Sequence, residues 1–165
     1  MKYTRPIKLS ILALMLALVL LTFSASTSSC ETGSSYQLSG GGDYQSMARQ
    51  DAIDAGIPPT YFVNQINAES HFNPSAISSA GAIGIAQFEP QTAASLGIDP
   101  WNAGQSLRGA ANLMASYNAK YGDYKMSLAA YQCGPECLQS AINRCGYWYW
   151  CVPASTQAYI SKITG

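Results

Sequence analysis

One glutamate in the sequence has the setting of a general acid. Glu69 follows Phe62 and Ile66 at the spacing of one helix face, so its carboxyl is expected on or beside an apolar stripe. An apolar surface disfavours the charged form of a carboxyl and raises its pKa. A glutamate with a raised pKa can donate a proton near neutral pH, as cleavage of a glycosidic bond requires at the leaving oxygen. Glu69 is therefore our candidate catalytic residue.

Other kinds of catalytic centre are disfavoured by the sequence. His71 is the only histidine, and no cysteine, serine or aspartate constellation accompanies it. The sequence contains no G-x-S-x-G, H-E-x-x-H or phosphate-loop motif and no cluster with metal-ligand spacing. We therefore expect no hydrolase of the serine, cysteine or zinc type.

The charge distribution excludes a nucleic-acid partner and favours a neutral ligand. The chain has nine basic and nine acidic residues, but three of the bases lie in its first eight residues, before any acid. From Cys30 onward the balance is mildly acidic, and the few bases are scattered, which is unlike a phosphate-binding surface. Charged residues make up only 11% of the chain, against about 25% in ordinary soluble domains. A surface of uncharged polar residues suits hydroxyl-rich ligands such as glycans.

The N-terminal segment, residues 1–29, is predicted to direct export. Its apolar run over residues 9–23 is long enough for a signal peptide and too short for a typical membrane-spanning helix. An uncleaved N-terminal anchor is the alternative. Cys30 follows a T-S-S sequence that resembles a lipoprotein cleavage site imperfectly, which makes Cys30 a lipidation candidate. We expect a periplasmic or extracellular protein, with or without a lipid anchor, and a Ser/Gly-rich tether over residues 30–42.

The other four cysteines predict two disulfides in an exported protein. They are Cys133, Cys137, Cys145 and Cys151. A helix over residues 138–144 would separate Cys137 from Cys145 by about 12 Å, which is too far for a disulfide. Two pairings remain, either 133–137 with 145–151 or 133–145 with 137–151. A zinc site is disfavoured because this spacing is unlike that of common zinc-binding motifs.

Helix caps and apolar periodicity predict a compact, mostly α domain that positions these residues. No segment alternates strongly enough to require a strand. Residues 76–88 are expected to form a small-residue loop with at most one helical turn, and residues 147–150 an aromatic loop. The predicted helices cover residues 43–55, 59–70, 90–96, 103–121, 123–134, 138–144 and 155–163.

Two motifs resemble a known family. Residues 69–93 (ESHFNPSAISSAGAIGIAQFEPQTA) resemble the signature of soluble-lytic-transglycosylase (SLT) domains, which share the goose-type lysozyme fold. Residues 129–135 (AAYQCGP) are similar to the A-A-Y-N-A-G-P motif of the same family, and Tyr159 lies in a segment that resembles its last helix. The resemblance covers about residues 43–163. It implies a mainly α, lysozyme-like SLT domain over residues 43–165.

The resemblance also implies an activity. SLT domains cleave the β-1,4 bond between N-acetylmuramic acid and N-acetylglucosamine in peptidoglycan and form a 1,6-anhydro sugar. One glutamate acts first as acid and then as base, and the C6 hydroxyl of the substrate replaces a second carboxylate, so the resemblance implies that no metal or cofactor is required. Here Glu69 takes that role. Gly81 and Gly84, which have no side chain, are expected to let the glycan approach the backbone. The implied substrate-binding residues are Ser70, Gly81, Gly84, Gln87, Tyr131, Gln132 and Tyr159.

The sequence departs from the family motifs at three positions, and two other functions remain as alternatives. Gln132 replaces the asparagine of the family motif, and Ala86 replaces a common methionine. Glu89 stands where an apolar residue is usual. We expect it to face solvent, but in the cleft it could activate water, and the enzyme would then be a lysozyme-type muramidase. A peptidoglycan-binding module without activity is the third interpretation. The partner in each case is a peptidoglycan strand, and a secretion, conjugation or phage apparatus is a further candidate partner.

Overall fold

The structure, a computed structural model, describes residues 43–165. The predicted export segment, the tether and Cys30 lie outside the described residues. Residues 43–165 form seven α-helices and one 3-10 turn, in agreement with the predicted α class. The helices are α1 Tyr44–Asp54, α2 Pro59–Ser70, α3 Pro90–Leu96, α4 Ala103–Tyr121, α5 Tyr124–Cys133, α6 Pro135–Arg144 and α7 Ala154–Thr164, and the 3-10 turn is Trp148–Cys151.

Local capping chemistry determines where these helices begin and end. The side chains of Asp43, Asn102 and Asp123 each accept a backbone N–H of the following turn, at 3.2, 3.0 and 2.7 Å. Helices α2, α3 and α6 begin with proline, whose missing N–H costs nothing in the first turn. Gly97 and Gly122 end α3 and α4 in the left-handed conformation, with φ of 67° and 68°. The predicted boundaries agree with the structure to within one residue, except that α6 begins three residues before its predicted start because Pro135 opens its first turn.

The segment between α2 and α3 is a loop, as predicted, with one turn at residues 84–87, where the N–H of Gln87 donates to the carbonyl of Gly84 at 3.2 Å. Ile83 makes isolated antiparallel bridges to both Ile77 and Phe88, so the segment folds back on itself in short extended pieces. Its polar backbone groups are paired within the segment, for example from the N–H of Ile83 to the carbonyl of Phe88 at 2.9 Å. The loop therefore has a defined shape at the position where the resemblance places a glycan.

Three helices meet around the predicted catalytic glutamate. Helix α2 packs against α1 and α7, and α5 packs against α4, α6 and α7. The core between them is made of fully buried aliphatic and aromatic side chains, chiefly Phe62, Ile66, Leu107, Met114, Leu128 and Ile160. This packing brings the C-terminal end of α2 to the C-terminal end of α5 and the middle of α7, where the site is built. Within residues 43–165 no helix is long and apolar enough to cross a membrane.

Candidate active site

Glu69 lies in the last turn of α2, at the edge of the core. Phe62 and Ile66 on the same face of this helix are fully buried, so the carboxyl of Glu69 emerges where the apolar stripe ends. The helix stops immediately afterwards because His71 and Phe72 both have positive φ, 54° and 61°. Two successive non-glycine residues in this region are uncommon. The chain turns sharply as a result and leaves Glu69 at the wall of a cleft.

Burial controls the protonation of Glu69. The loss of hydration raises the pKa of its carboxyl to about 7, and this is the largest effect acting on the group. The hydroxyl of Tyr159 donates a hydrogen bond to Oε1 of Glu69, and the charge of Lys162 lies nearby; both favour the ionised form and limit the rise in pKa. The carboxyl can thus hold a proton near neutral pH and release it in the same setting.

Two tyrosines enclose Glu69 from different helices. Tyr159 of α7 binds Glu69 directly but does not line the cleft, so it acts on the carboxyl from behind. Tyr131 of α5 lines the cleft, and its hydroxyl donates to the carbonyl oxygen of Ala86 at 2.7 Å. Burial is the main reason that the pKa of each tyrosine is raised well above its ordinary value, and the negative charge of Glu69 adds to the rise. Both hydroxyls therefore stay protonated and act as donors.

Gln87 presents an amide to the cleft from a strained backbone. Its φ of 52° places it in the left-handed region, which non-glycine residues seldom occupy. The side-chain Nε2 donates to the carbonyl of Gly84 at 2.8 Å and reaches that of Ala76 at 3.4 Å. With its N–H groups engaged in the loop, Gln87 has its Oε1 as the group to offer a ligand in the cleft.

Four of the seven predicted substrate-binding residues do not line the cleft: Ser70, Gly81, Gly84 and Tyr159. For Ser70 and Gly84 the structure gives a role inside the protein in place of the predicted contact with substrate. Ser70 is buried, and its hydroxyl donates to the carbonyl of Ile85 at 2.7 Å and accepts from the N–H of Asn73. It therefore fastens the end of α2 to the following loop. Gly84 is also buried, and a Cβ there would overlap the carbonyl oxygen of Pro100. The close approach that requires Gly84 is made by the protein's own backbone.

Gly81 has a different reason for being glycine. Its φ is 87°, and its N–H donates to the carbonyl of Ser78 at 3.0 Å in a tight turn. A Cβ at this position would meet no atom within 4 Å, so backbone conformation rather than space selects the residue. Gly81 shapes the loop whose neighbouring residues Ala80 and Ala82 form part of the cleft wall.

The cleft has a volume of about 570 Å³ and an unbalanced charge. Glu89 and Glu136 line it together with Glu69, and both are exposed to solvent. No lysine, arginine or histidine is among its lining residues within 43–165. Glu89 faces solvent as expected, and its side chain also borders the cleft. The remaining lining residues include Gln132, Ser78, Thr92, Phe88, Leu113 and Tyr117.

A comparison with known protein families decides the relationship of the chain. Residues 46–146 match the model of the transglycosylase SLT domain. The chain belongs to this family. Its SLT domain is 34% identical over 79 residues to a transglycosylase of Enterobacteria phage PRD1, an alignment that covers 47% of this chain and 30% of the phage protein.

The fold has a counterpart among solved structures. An inactive mutant of the lytic transglycosylase Slt from Pseudomonas aeruginosa superimposes with a TM-score of 0.64 and 18% sequence identity, over 73% of this chain and 22% of that one. The predicted lysozyme-like SLT fold is thereby confirmed. The chain covers less than a third of the length of either of these two proteins.

The structure of the SLT domain distinguishes between the two disulfide pairings that the sequence left open. Cys133 lies beside Cys137 and Cys145 beside Cys151, with Cα–Cα distances of 5.8 and 6.3 Å, both within disulfide range. The first pair joins the last residue of α5 to the first turn of α6, and Cys133 itself lines the cleft. The disulfide thus stands at the corner that presents Gln132 and Gly134 to the ligand.

Sequence reasoning missed several residues of the SLT cleft. Ser78 matched the family signature, and that match was the signal that could have placed it in the site. Glu136 carried no such signal, because it enters the cleft only when α5 and α6 pack at a corner. Its side chain also lies close enough to raise the pKa of Tyr117, although burial contributes more to that rise.

Proposed function

We propose that the protein is a peptidoglycan lytic transglycosylase that cleaves the β-1,4 bond between N-acetylmuramic acid and N-acetylglucosamine. One observation carries the proposal: a desolvated carboxyl, Glu69, lines a cleft of glycan size and has a pKa of about 7. Such a group is protonated in a large fraction of molecules at neutral pH and can serve as a general acid. Membership of the SLT family supports the same reaction.

The reaction needs one proton and one internal nucleophile. Glu69 donates its proton to the glycosidic oxygen, the bond from that oxygen to C1 breaks, and an oxocarbenium-like sugar forms. The resulting carboxylate then takes the proton of the C6 hydroxyl while O6 bonds to C1 and closes the 1,6-anhydro ring. Glu69 ends protonated again, and no water is consumed. Because the nucleophile belongs to the same sugar, proximity replaces a second enzyme carboxylate.

The surrounding residues have separate parts in this proposal. Tyr159 holds Oε1 of Glu69 in position and stabilises the carboxylate formed midway. Tyr131 provides a ring at the cleft wall, with its hydroxyl fixed on Ala86. Gln87 and Gln132 offer amides to hydroxyl or acetamido groups of the sugar.

Substitution of Glu69 by glutamine tests the assignment. We expect Glu69→Gln to lower release of 1,6-anhydro-muropeptides from purified sacculi by about 10²–10⁴-fold, the contribution usual for general acid–base catalysis. Mass analysis of the soluble products measures this, and circular dichroism confirms that the variant is folded. Unchanged release by the folded variant would contradict the role of Glu69.

A muramidase reaction is the second candidate, because Glu89 lines the same cleft and could activate water. Hydrolysis would leave reducing-end muramic acid in place of the anhydro sugar. The mass of the wild-type products therefore separates the two reactions. Under the transglycosylase proposal, the anhydro sugar remains the main product of the Glu89→Gln variant. If the wild type releases neither product, a binding module is favoured.

The location of the protein follows from the same proposal. The substrate lies outside the cytoplasm, so we propose that residues 1–29 direct export and that residues 30–42 tether the domain. A lipid on Cys30 would keep it at the membrane. Two disulfides fit an oxidising compartment. Association with a secretion, conjugation or phage apparatus is a proposal that the phage relative supports.

A further inference from the structure

Four consecutive aromatic residues form a surface that the cleft does not use. The aromatic loop, residues 147–150, lies between Cys145 and Cys151, and the disulfide between these two cysteines closes it. Trp150 is 71% exposed and Tyr147 is 55% exposed, and none of the four aromatic residues lines the cleft. Single exposed aromatic residues are ordinary, but a contiguous group in a closed loop marks an interaction surface.

The rings are held in fixed positions. Tyr149 and Trp150 stack edge to face with centroids 5.2 Å apart, and Trp148 contacts Tyr149 in the same way at 5.7 Å. The hydroxyl of Tyr149 donates to the carbonyl of Gln157 at 3.2 Å and lies 3.1 Å from the hydroxyl of Ser161. The loop is thus fastened to α7, and the exposed rings can bind a ligand without first being ordered.

A cation is fixed beside the aromatic loop. Nε of Arg144 donates to the carbonyl of Ser140 at 3.2 Å, and its Nη2 donates to that of Cys151 at 3.3 Å. Residues 137–165 contain no acidic side chain, and their two bases are Arg144 and Lys162. Residues 43–136 instead carry eight acids and four bases. The part of the domain that carries the aromatic loop therefore suits a ligand with negative charge.

We propose that the aromatic loop is a second glycan-binding surface, which holds an anionic peptidoglycan strand outside the cleft. The proposal rests on the proposed function in that the same polymer is the substrate. The C–H face of a pyranose ring packs against the electron-rich face of an aromatic ring. The carboxylates of stem peptides on the strand would complement Arg144, which is bound to the carbonyl of Cys151. Helix α6 begins at the cleft and ends at Arg144, about 15 Å away along its axis, so one polymer can reach both places.

The composition of the loop favours a glycan over a membrane surface. Tyr147 and Trp150 are the only large hydrophobic residues exposed within residues 137–165, and no aliphatic side chain accompanies them. Helices that lie on membranes add leucine or phenylalanine, which enter the acyl region. The exposed neighbours on α6 are Gln139, Ser140 and Asn143, whose amides and hydroxyl suit sugar hydroxyls.

Sedimentation with purified sacculi tests the proposal without turnover. All proteins carry Glu69→Gln, so the result does not depend on catalysis. We expect the additional pair Tyr147→Ala and Trp150→Ala to weaken binding about tenfold. Trp150→Ala alone should weaken binding less than the pair does, and the binding of the pair should be weaker at every salt concentration. Trp101→Ala is the matched control, because Trp101 is 50% exposed and lies in neither surface, and it should bind normally.

Two outcomes would overturn the proposal. Equal sedimentation of the aromatic variants and their Glu69→Gln parent would show that the aromatic loop does not hold the glycan. Binding to vesicles of phosphatidylglycerol and phosphatidylcholine that is lost in the aromatic variants, without an effect on sacculi, would show a membrane surface. With Glu69 restored, the aromatic variants should still cleave short soluble glycans at the wild-type rate. If the wild type cleaved nothing while the binding difference persisted, the proposed function would fail and this surface would stand.

Discussion

The two ends of α6 use the same residue types in opposite ways. Near its N-terminal end Tyr131 lines the cleft and Tyr159 lies behind Glu69, and their hydroxyls donate to a carbonyl and to the carboxyl of Glu69. At its C-terminal end the aromatic loop exposes Tyr147 and Trp150 to solvent. Three glutamates line the cleft, whereas residues 137–165, which include the aromatic loop, carry two basic side chains and no acidic one. Burial thus prepares Glu69 for proton transfer near one end of α6, and exposure makes aromatic rings available for binding near the other.

The difference has an energetic consequence. Keeping a carboxyl in a desolvated setting costs free energy when it ionises, whereas exposed rings cost the fold little. Strain of this kind is expected where a protein needs a shifted pKa for chemistry. Replacing Glu69 should therefore raise the free energy of unfolding, whereas replacing a residue of the aromatic loop should not.

The largest expected effect is on stability in alkaline solution. Below pH 4.5 Glu69 is protonated in both the folded and the unfolded chain. Between pH 4.5 and about 7 the unfolded chain ionises first, so the wild type loses stability as pH rises. The loss approaches about 3 kcal/mol above pH 7, and Glu69→Gln abolishes it. Urea unfolding at pH 4 and pH 8 measures this, with Trp150→Ala as the control whose pH dependence matches the wild type. If the free energy of unfolding of Glu69→Gln fell between pH 4 and pH 8 as much as that of the wild type, ionisation of Glu69 would not be the cause of the loss.

The two disulfides allow a second contrast. Each closes a short loop, so replacing either pair of cysteines by serine should cost about 2 kcal/mol of unfolding free energy. Cys133→Ser with Cys137→Ser should also lower kcat/KM on short glycans, because that pair holds the cleft corner. Cys145→Ser with Cys151→Ser should leave this rate unchanged and weaken sedimentation with sacculi. Unfolding curves, rates and sedimentation of both variants check this, and identical functional losses would count against separate surfaces.

The helices were predictable because their signals are local. Helix α4 is capped by Asn102 and ended by Gly122, and both residues act through bonds to their own neighbours. The setting of Glu69 was also predictable, since it depends on spacing along one helix. Such features require no knowledge of which parts of the chain meet in space.

The remaining features depend on contacts between distant segments. Ser70 is buried because the carbonyl of Ile85 returns to it, and Gly84 is required because the carbonyl of Pro100 lies against it. Glu89 and Glu136 share a cleft although 47 positions separate them in the chain. No periodicity or cap records such meetings. For the same reason the cysteine spacing left two disulfide pairings open.

The smallest expected effects come from removing one tyrosine hydroxyl at each end of α6. Tyr159→Phe removes a hydrogen bond that favours the ionised form of Glu69, so the pKa of the carboxyl should rise further above its ordinary value. The alkaline fall of kcat/KM should then move to higher pH by up to about one unit, with a rate about tenfold lower at pH 7 from poorer positioning. Tyr149→Phe is the matched change in the aromatic loop; it should cost about 1 kcal/mol of unfolding free energy and leave the pH profile in place. Rates on a short glycan from pH 5 to pH 9 measure both variants. An equal shift in the two profiles would mean that the hydroxyl of Tyr159 does no more than stabilise the fold.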